Sequence, residues 1–157
     1  MPSLSRSQSS DFLDPERGPI FSVRFGIAVL MAVLGIAWMA YYYLVVRVDP
    51  TAFPAPKAGD PTFMADLKDW NYAIGFGLLM VGLMIAAHPS TPLGRNRGVV
   101  ATMLTCFLVG LVWICTYYVL TGQHLDKVPV FNDLGQYNLL VGICFMAVGF
   151  SYATRWE

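Results

Sequence analysis

Charge is what this chain has least of. Of its 157 residues, 13% are Asp, Glu, Lys or Arg, where a soluble domain carries about a quarter. Four stretches hold none at all: Phe25–Val46, Trp70–Ala87, Gly98–Leu120 and Leu134–Thr154. About 20 apolar residues are needed for a helix to cross roughly 30 Å of hydrocarbon, and each stretch has that length or nearly so. The scarcity excludes a soluble enzyme, a nucleic-acid-binding domain and a secreted disulfide scaffold, and predicts a polytopic protein of the lipid bilayer. Neither sign is in excess, with ten Lys and Arg against ten Asp and Glu, so no basic field exists to hold nucleic acid or anionic lipid. Cysteine is equally sparse. Cys106, Cys115 and Cys144 all fall inside predicted spans, where they are expected as small buried apolar residues and not as disulfide partners or zinc ligands.

The missing chemistry narrows the function further. Apart from the thiols, no ionisable residue lies in a span, which argues against proton-coupled transport, since that needs a membrane-embedded carboxylate. The two histidines, His88 and His124, fall on opposite faces of the bilayer in the predicted topology and cannot grip one haem. His88 reads as a helix C-terminal residue favoured by the dipole. No nucleophile–base set, phosphate loop or metal-ligand spacing occurs, and Asp60, Asp66 and Asp69 read as solvated loop residues rather than a divalent-ion site. Neither catalysis nor a cofactor, metal or small-molecule substrate is expected.

What is abundant is apolar sequence, at 56% hydrophobic residues and a mean hydropathy of +0.55. Residues 1–23 are too polar to offset ordering entropy and are predicted as a disordered cytoplasmic leader. A first hairpin is predicted over 24–88, with spans at 25–46 and 70–87. A linker follows over 89–97, where Pro89, Pro92 and Gly94 stop the helix. The second hairpin covers 98–157, with spans at 98–120 and 134–154. Between the first two spans, Phe63–Lys68 is expected to form a short interfacial turn. Arg6, Arg17, Arg24, Arg95, Arg97 and Arg155 flank one side, against Arg47, Lys57, Lys68 and Lys127 on the other. The positive-inside rule therefore puts both termini in the cytoplasm of a plasma-membrane protein. Aromatic residues at the span ends, among them Tyr41, Tyr42, Tyr43, Trp70, Tyr72, Tyr117, Tyr118, Tyr137 and Tyr152, read as an interfacial belt.

The two halves repeat each other. Gly35-Ile-Ala-Trp38-Met-Ala-Tyr-Tyr42-Tyr43 returns as Gly110-Leu-Val-Trp113-Ile-Cys-Thr-Tyr117-Tyr118, 75 residues later. Trp70-Asn71 with Gly75 and Gly82 returns as Tyr137-Asn138 with Gly142 and Gly149, 67 residues later. Two patterns in matching order indicate a duplicated hairpin. Because each copy crosses twice, the copies should be related by a pseudo-two-fold axis along the membrane normal. Asn71, Gly75 and Gly82 fall on one helical strip, as do Asn138, Gly142 and Gly149. Small residues there allow close helix approach, either within the chain or to another protein. Asn71 and Asn138 are placed to cap their helices or to bond across to a neighbouring one.

These residues resemble a known family. Asn96-Arg-Gly98, Gly110-Leu-Val-Trp113, Leu134-Gly-Gln-Tyr-Asn138, Val141-Gly142 and Ala153-Thr-Arg-Trp156-Glu157 are similar to the pattern of the actinobacterial cell-division protein CrgA. The first half resembles it again through Gly35, Trp38, Asp69-Trp70-Asn71-Tyr72, Gly75 and Gly82, and lacks only the terminal Trp motif. The resemblance implies a non-catalytic protein of the division septum that coordinates FtsZ and septal peptidoglycan synthases. It makes Trp38, Trp70, Asn71, Gly75, Trp113, Tyr137, Asn138, Gly142 and Trp156 the candidate contact residues. Ordinary members have one hairpin and a strongly basic N-terminus, whereas this chain has two hairpins and a Ser-rich leader. The competing expectation is an accessory subunit of a larger membrane complex, such as a respiratory oxidase.

Overall fold

A computed structural model describes residues 21–48, 53–54, 57, 59–122 and 125–154. The predicted leader up to residue 20, His124 and Trp156 lie outside the described residues. Those described form helices and connecting turns, with no strand among them. Helix α1 (Val23–Tyr41) starts where the Ser22 hydroxyl accepts the Phe25 N–H at 3.3 Å, a side-chain N-cap. It runs on through a π-helical turn, Tyr42–Val46, and stops at Arg47, whose backbone is extended. A six-residue helix α2 (Thr62–Leu67) leads into α3 (Trp70–Ala86). Helix α4 (Arg97–Thr121) follows the linker, and a second six-residue helix α5 (Pro129–Leu134) leads into α6 (Tyr137–Ala153).

Two differences from the sequence reading concern the second hairpin. Residues 125–134 were expected as loop and span, yet they carry a 3₁₀ turn and α5. The last long helix therefore begins at Tyr137 and not at Leu134, because Gly135 turns the chain at φ +48°. Lys68 does the same between α2 and α3 at φ +46°.

Helix α1 packs along α3, and α4 along α6. The two hairpins meet through α3 and α6. Two small cores result. One, at the start of α3, joins Tyr42, Val46, Met64 and Tyr72 with Trp38 and Leu134. The other, at the end of α3, joins Ala87, Val99, Cys106, Val148 and Tyr152. The linker is itself compact. Thr91 is fully buried, accepts the Gly94 N–H at 3.1 Å, and its hydroxyl reaches the carbonyls of His88 (2.9 Å) and Ala86. Arg24 Nη1 donates to His88 Nε2 at 2.5 Å, tying the start of α1 to the end of α3.

Two helices are long and apolar enough to cross a bilayer: Val23–Val46 and Arg97–Thr121, with mean hydropathies of 2.0 and 2.3. Only 11% and 17% of their apolar windows are buried inside the protein. A core helix of a soluble protein is mostly covered, whereas these two present most of their apolar side chains outward. Helices α3 and α6 are apolar and 17 residues long, about 26 Å at 1.5 Å per residue.

Candidate interaction surface

The closest approach inside each hairpin falls on its glycines. A Cβ built on Gly75 would stand 2.7 Å from Gly35 O, and one on Gly35 would collide with Gly75 O. In the second hairpin, a Cβ on Gly110 would stand 2.6 Å from Gly142 O, and one on Gly142 2.9 Å from Gly110 O. Two turns further along, a Cβ on Gly82 would stand 2.8 Å from Ala28 O and one on Gly149 3.3 Å from Met103 O. Every one of these contacts recurs at the same offsets, 75 on the first helix and 67 on the second. Backbone-to-backbone contact of this kind is what small residues permit in apolar helix pairs. All six of these glycines, the four of the helical strips with Gly35 and Gly110, thus face the other helix of their own hairpin.

The asparagines repeat in the same way, but not as N-caps. Asn71 is fully buried and donates from Nδ2 to Met64 O (2.6 Å) and Lys68 O (2.8 Å). Asn138, also fully buried, donates to Phe131 O and Gly135 O, both at 2.8 Å. Each reaches back seven and three residues to fasten the short helix and the turn before it. The amide adds a second donor at Lys68 O, Phe131 O and Gly135 O, which also accept the backbone N–H of Asn71, Gly135 and Asn138. No side-chain cap serves α3 or α6.

The tryptophans converge on the same short helices. Trp38 lies against Phe63 with ring centroids 6.2 Å apart, and Trp113 stacks on Phe131 at 4.6 Å. Among the described residues, the buried side-chain polar atoms without a hydrogen-bond partner are Trp38 Nε1, Asn71 Oδ1, Trp113 Nε1 and Asn138 Oδ1. They form one donor and one acceptor in each copy. Trp70 and Tyr137, which occupy equivalent places, are 71% and 70% exposed. Of the candidate contact residues that are described, they alone are exposed on the outside of their hairpins. The aromatic belt needs correction accordingly: Tyr42, Tyr72, Tyr117 and Tyr152 are buried and belong to the packing, while Tyr41, Tyr118 and Tyr137 are exposed. The cysteines also divide, with Cys106 buried, Cys144 half-buried and Cys115 exposed.

An ionic cluster that the sequence reading missed bridges the hairpins. Arg47 holds Asp133 through two parallel bonds, Nε–Oδ2 at 2.5 Å and Nη2–Oδ1 at 2.8 Å. The Tyr72 hydroxyl donates to Asp133 Oδ2 at 3.1 Å. The hydrogen bond to Asp133 raises the Arg47 pKa above its already high ordinary value, so the guanidinium stays charged throughout the accessible range. Beside the pair lies a cavity of about 320 Å³ lined by Tyr42, Val46, Val48, Ala65, Lys68 and Asp69. Among the described residues, no group of three His, Cys, Asp or Glu side chains is gathered as for a metal ion.

Fold and site together define an all-helical protein of tightly packed apolar hairpins, two of whose helices have the length and apolarity of membrane spans. The family described as "Cell division protein CrgA" matches residues 16–88 and, a second time, residues 88–157. The chain belongs to the CrgA family, in two tandem copies. It is 38% identical over 65 residues to the cell division protein CrgA of Streptomyces avermitilis, covering 41% of this chain and 71% of that one. It is 42% identical over 53 residues to the proteins of the same name from two Corynebacterium glutamicum strains, covering 34% of this chain. The match spans just under half, 46%, of the length of those relatives. No solved structure matches the chain.

Proposed function

We propose that this chain is a four-span, multi-pass protein of the plasma membrane that serves the division septum as a non-catalytic scaffold. Both termini lie in the cytoplasm, and the two hairpins are related by a pseudo-two-fold axis along the membrane normal. The observation that carries the reading is the cell-division family match, made twice along one chain. The geometry supports the scaffold role. The glycine crossings and asparagine ties make each hairpin a rigid block, and rigid blocks present fixed surfaces for other helices. The partners expected from the family resemblance are FtsZ on the cytoplasmic side and septal peptidoglycan synthases within the membrane. Trp70 and Tyr137, exposed at equivalent places, are the first candidates for contact.

A fluorescent fusion expressed at native level tests the reading. Enrichment at mid-cell septa in dividing cells is the expected result. A signal uniform over the membrane in cells with visible septa contradicts it.

A further inference from the structure

The two hairpins touch along two kinds of surface. At the end of α3 the seam is largely apolar and brings one pair of equivalent positions together. The Ser151 hydroxyl lies 3.4 Å from Met84 Sδ, and these two positions are 67 residues apart, the offset of the repeat. Nearby, Tyr152 donates to Leu83 O at 2.9 Å, and Phe76 meets Phe145 edge-on at 5.7 Å. A surface on which a residue meets its own counterpart is self-complementary. The Met84–Ser151 crossing would therefore also serve two first or two second hairpins. The Tyr152 bond would not, because the counterpart of Tyr152 is Ile85, which has no hydroxyl.

The other end is different. Arg47 comes from the close of the first span region, Tyr72 from the first turn of α3, and Asp133 from α5 of the second hairpin. The side chains of Arg47 and Asp133 are only 13% and 12% exposed, and Arg47 also lies over the Tyr43 ring at 5.7 Å. Shifting each residue by the repeat offset gives Gly122 for Arg47, Leu139 for Tyr72 and Asp66 for Asp133. The reciprocal cluster has neither a cation nor a hydroxyl, so it cannot form. One charged contact is made where a symmetric pair of hairpins would make two. A two-pronged Arg–carboxylate pair has strict geometry, and a single sheltered polar pair between apolar surfaces is a known means of fixing register and partner.

We propose that Arg47, Asp133 and Tyr72 form a one-sided latch that selects the second hairpin as the partner of the first within the same chain. The apolar seam supplies adhesion and the latch supplies identity. Two second hairpins would each bring a sheltered Asp133 with no cation to meet it. The copies are thus not interchangeable. The tandem chain is a closed unit with one seam and one lock at opposite ends of the α3–α6 contact. This holds wherever in the cell the chain acts.

The test uses the full-length chain in membranes, with Cys106, Cys115 and Cys144 replaced by Ala and the reporter pair M84C/S151C introduced. Oxidation closes a bond between the hairpins, read as thiols protected from a polyethylene-glycol maleimide. Interchain bonds appear as dimer bands. With Arg47 and Asp133 intact, most of the protein should be protected and dimer bands faint. Arg47→Ala and Asp133→Asn should each cut protection by at least threefold and strengthen the dimer band. The exchange R47D/D133R should restore protection to more than half the original. Monodisperse elution in mild detergent identifies variants that have kept their fold. Unchanged protection in both folded single variants overturns the proposal, and so does failure of the exchange to recover any of the loss.

Discussion

Replacing the crossing glycines one at a time by alanine gives the most graded perturbation of this structure. At Gly110 the new methyl carbon would sit 2.6 Å from Gly142 O, against 3.4 Å for ordinary contact. The helices must part by about 0.8 Å to admit it. The obstacle is backbone, which cannot rotate away as a side chain can. Overpacking of this kind costs about 1–3 kcal/mol, partly offset by the better helix propensity of alanine, up to about 1 kcal/mol. A net loss of about 1–2 kcal/mol lowers the melting temperature of a chain of this size by about 3–8 °C. The structure also ranks the sites. Gly35, Gly75, Gly110 and Gly142 should be worst, and Gly82, with a carbonyl at 2.8 Å, should follow closely. Gly149, with 3.3 Å, should be mild, and Gly26 and Gly77, with nothing within 4 Å, should gain up to about 1 kcal/mol from the helix propensity alone. The assay is thermal aggregation of detergent-solubilised protein, read by size-exclusion elution after heating. If Gly110→Ala and Gly142→Ala melt with Gly77→Ala, the close crossing does not hold the hairpin together and the reasoning fails.

Three further outcomes are expected. Asn71→Ala and Asn138→Ala each remove two hydrogen bonds that tie a short helix and its turn to the next long helix, at about 0.5–1.5 kcal/mol per bond, so each should melt several degrees lower. Alanine at the exposed Gln136 should change nothing, and equal melting of all three would contradict the tie. Lys68 sits at φ +46°, ψ −128°, a region open essentially to glycine, and its counterpart is Gly135 in the same conformation. Lys68→Gly should therefore raise stability by about 1 kcal/mol, strain of about 1–3 kcal/mol being relieved against the added freedom of the unfolded chain. A lower melting point would refute it. For topology, cysteines placed one at a time at Ser90 and Lys127 in a cysteine-free chain should react from opposite sides of sealed membranes. Reaction from one side only would contradict the four-span arrangement.

Much of this architecture is legible in composition alone, because hydropathy over a fixed length is a property of the chain itself. The four uncharged stretches match the four long helices described to within a turn or two at their ends, and the glycine and asparagine spacings carry over into contacts repeated at the same offsets. Helix α5 was not legible. Pro-Val-Phe-Asn-Asp-Leu carries no amphipathic period over six residues, and the segment is held by Asn138 on Phe131 O and by Trp113 on the Phe131 ring. For the asparagines, residue type and position suit either a cap or a bond to a neighbouring helix, and only the carbonyls within reach decide for the short helix before each. Burial of Tyr42, Tyr72, Tyr117 and Tyr152 depends on which face of the helix meets its neighbour, which aromatic enrichment at span ends does not encode. The Arg47–Asp133 pair joins residues 86 positions apart. Opposite charges at adjacent span ends were a signal for it, but several aspartates shared that signal.

The central claim is that this tandem CrgA-family chain works by holding division proteins together. Cross-linking in dividing cells, followed by purification of the full-length chain in mild detergent and identification of the attached proteins, tests it most directly. FtsZ or septal peptidoglycan synthases should be enriched at least several-fold over an unrelated multi-pass membrane protein, with the enrichment reduced when Trp70 and Tyr137 are replaced by alanine. Recovery of respiratory cytochromes in their place, with no division protein above that control, would contradict it.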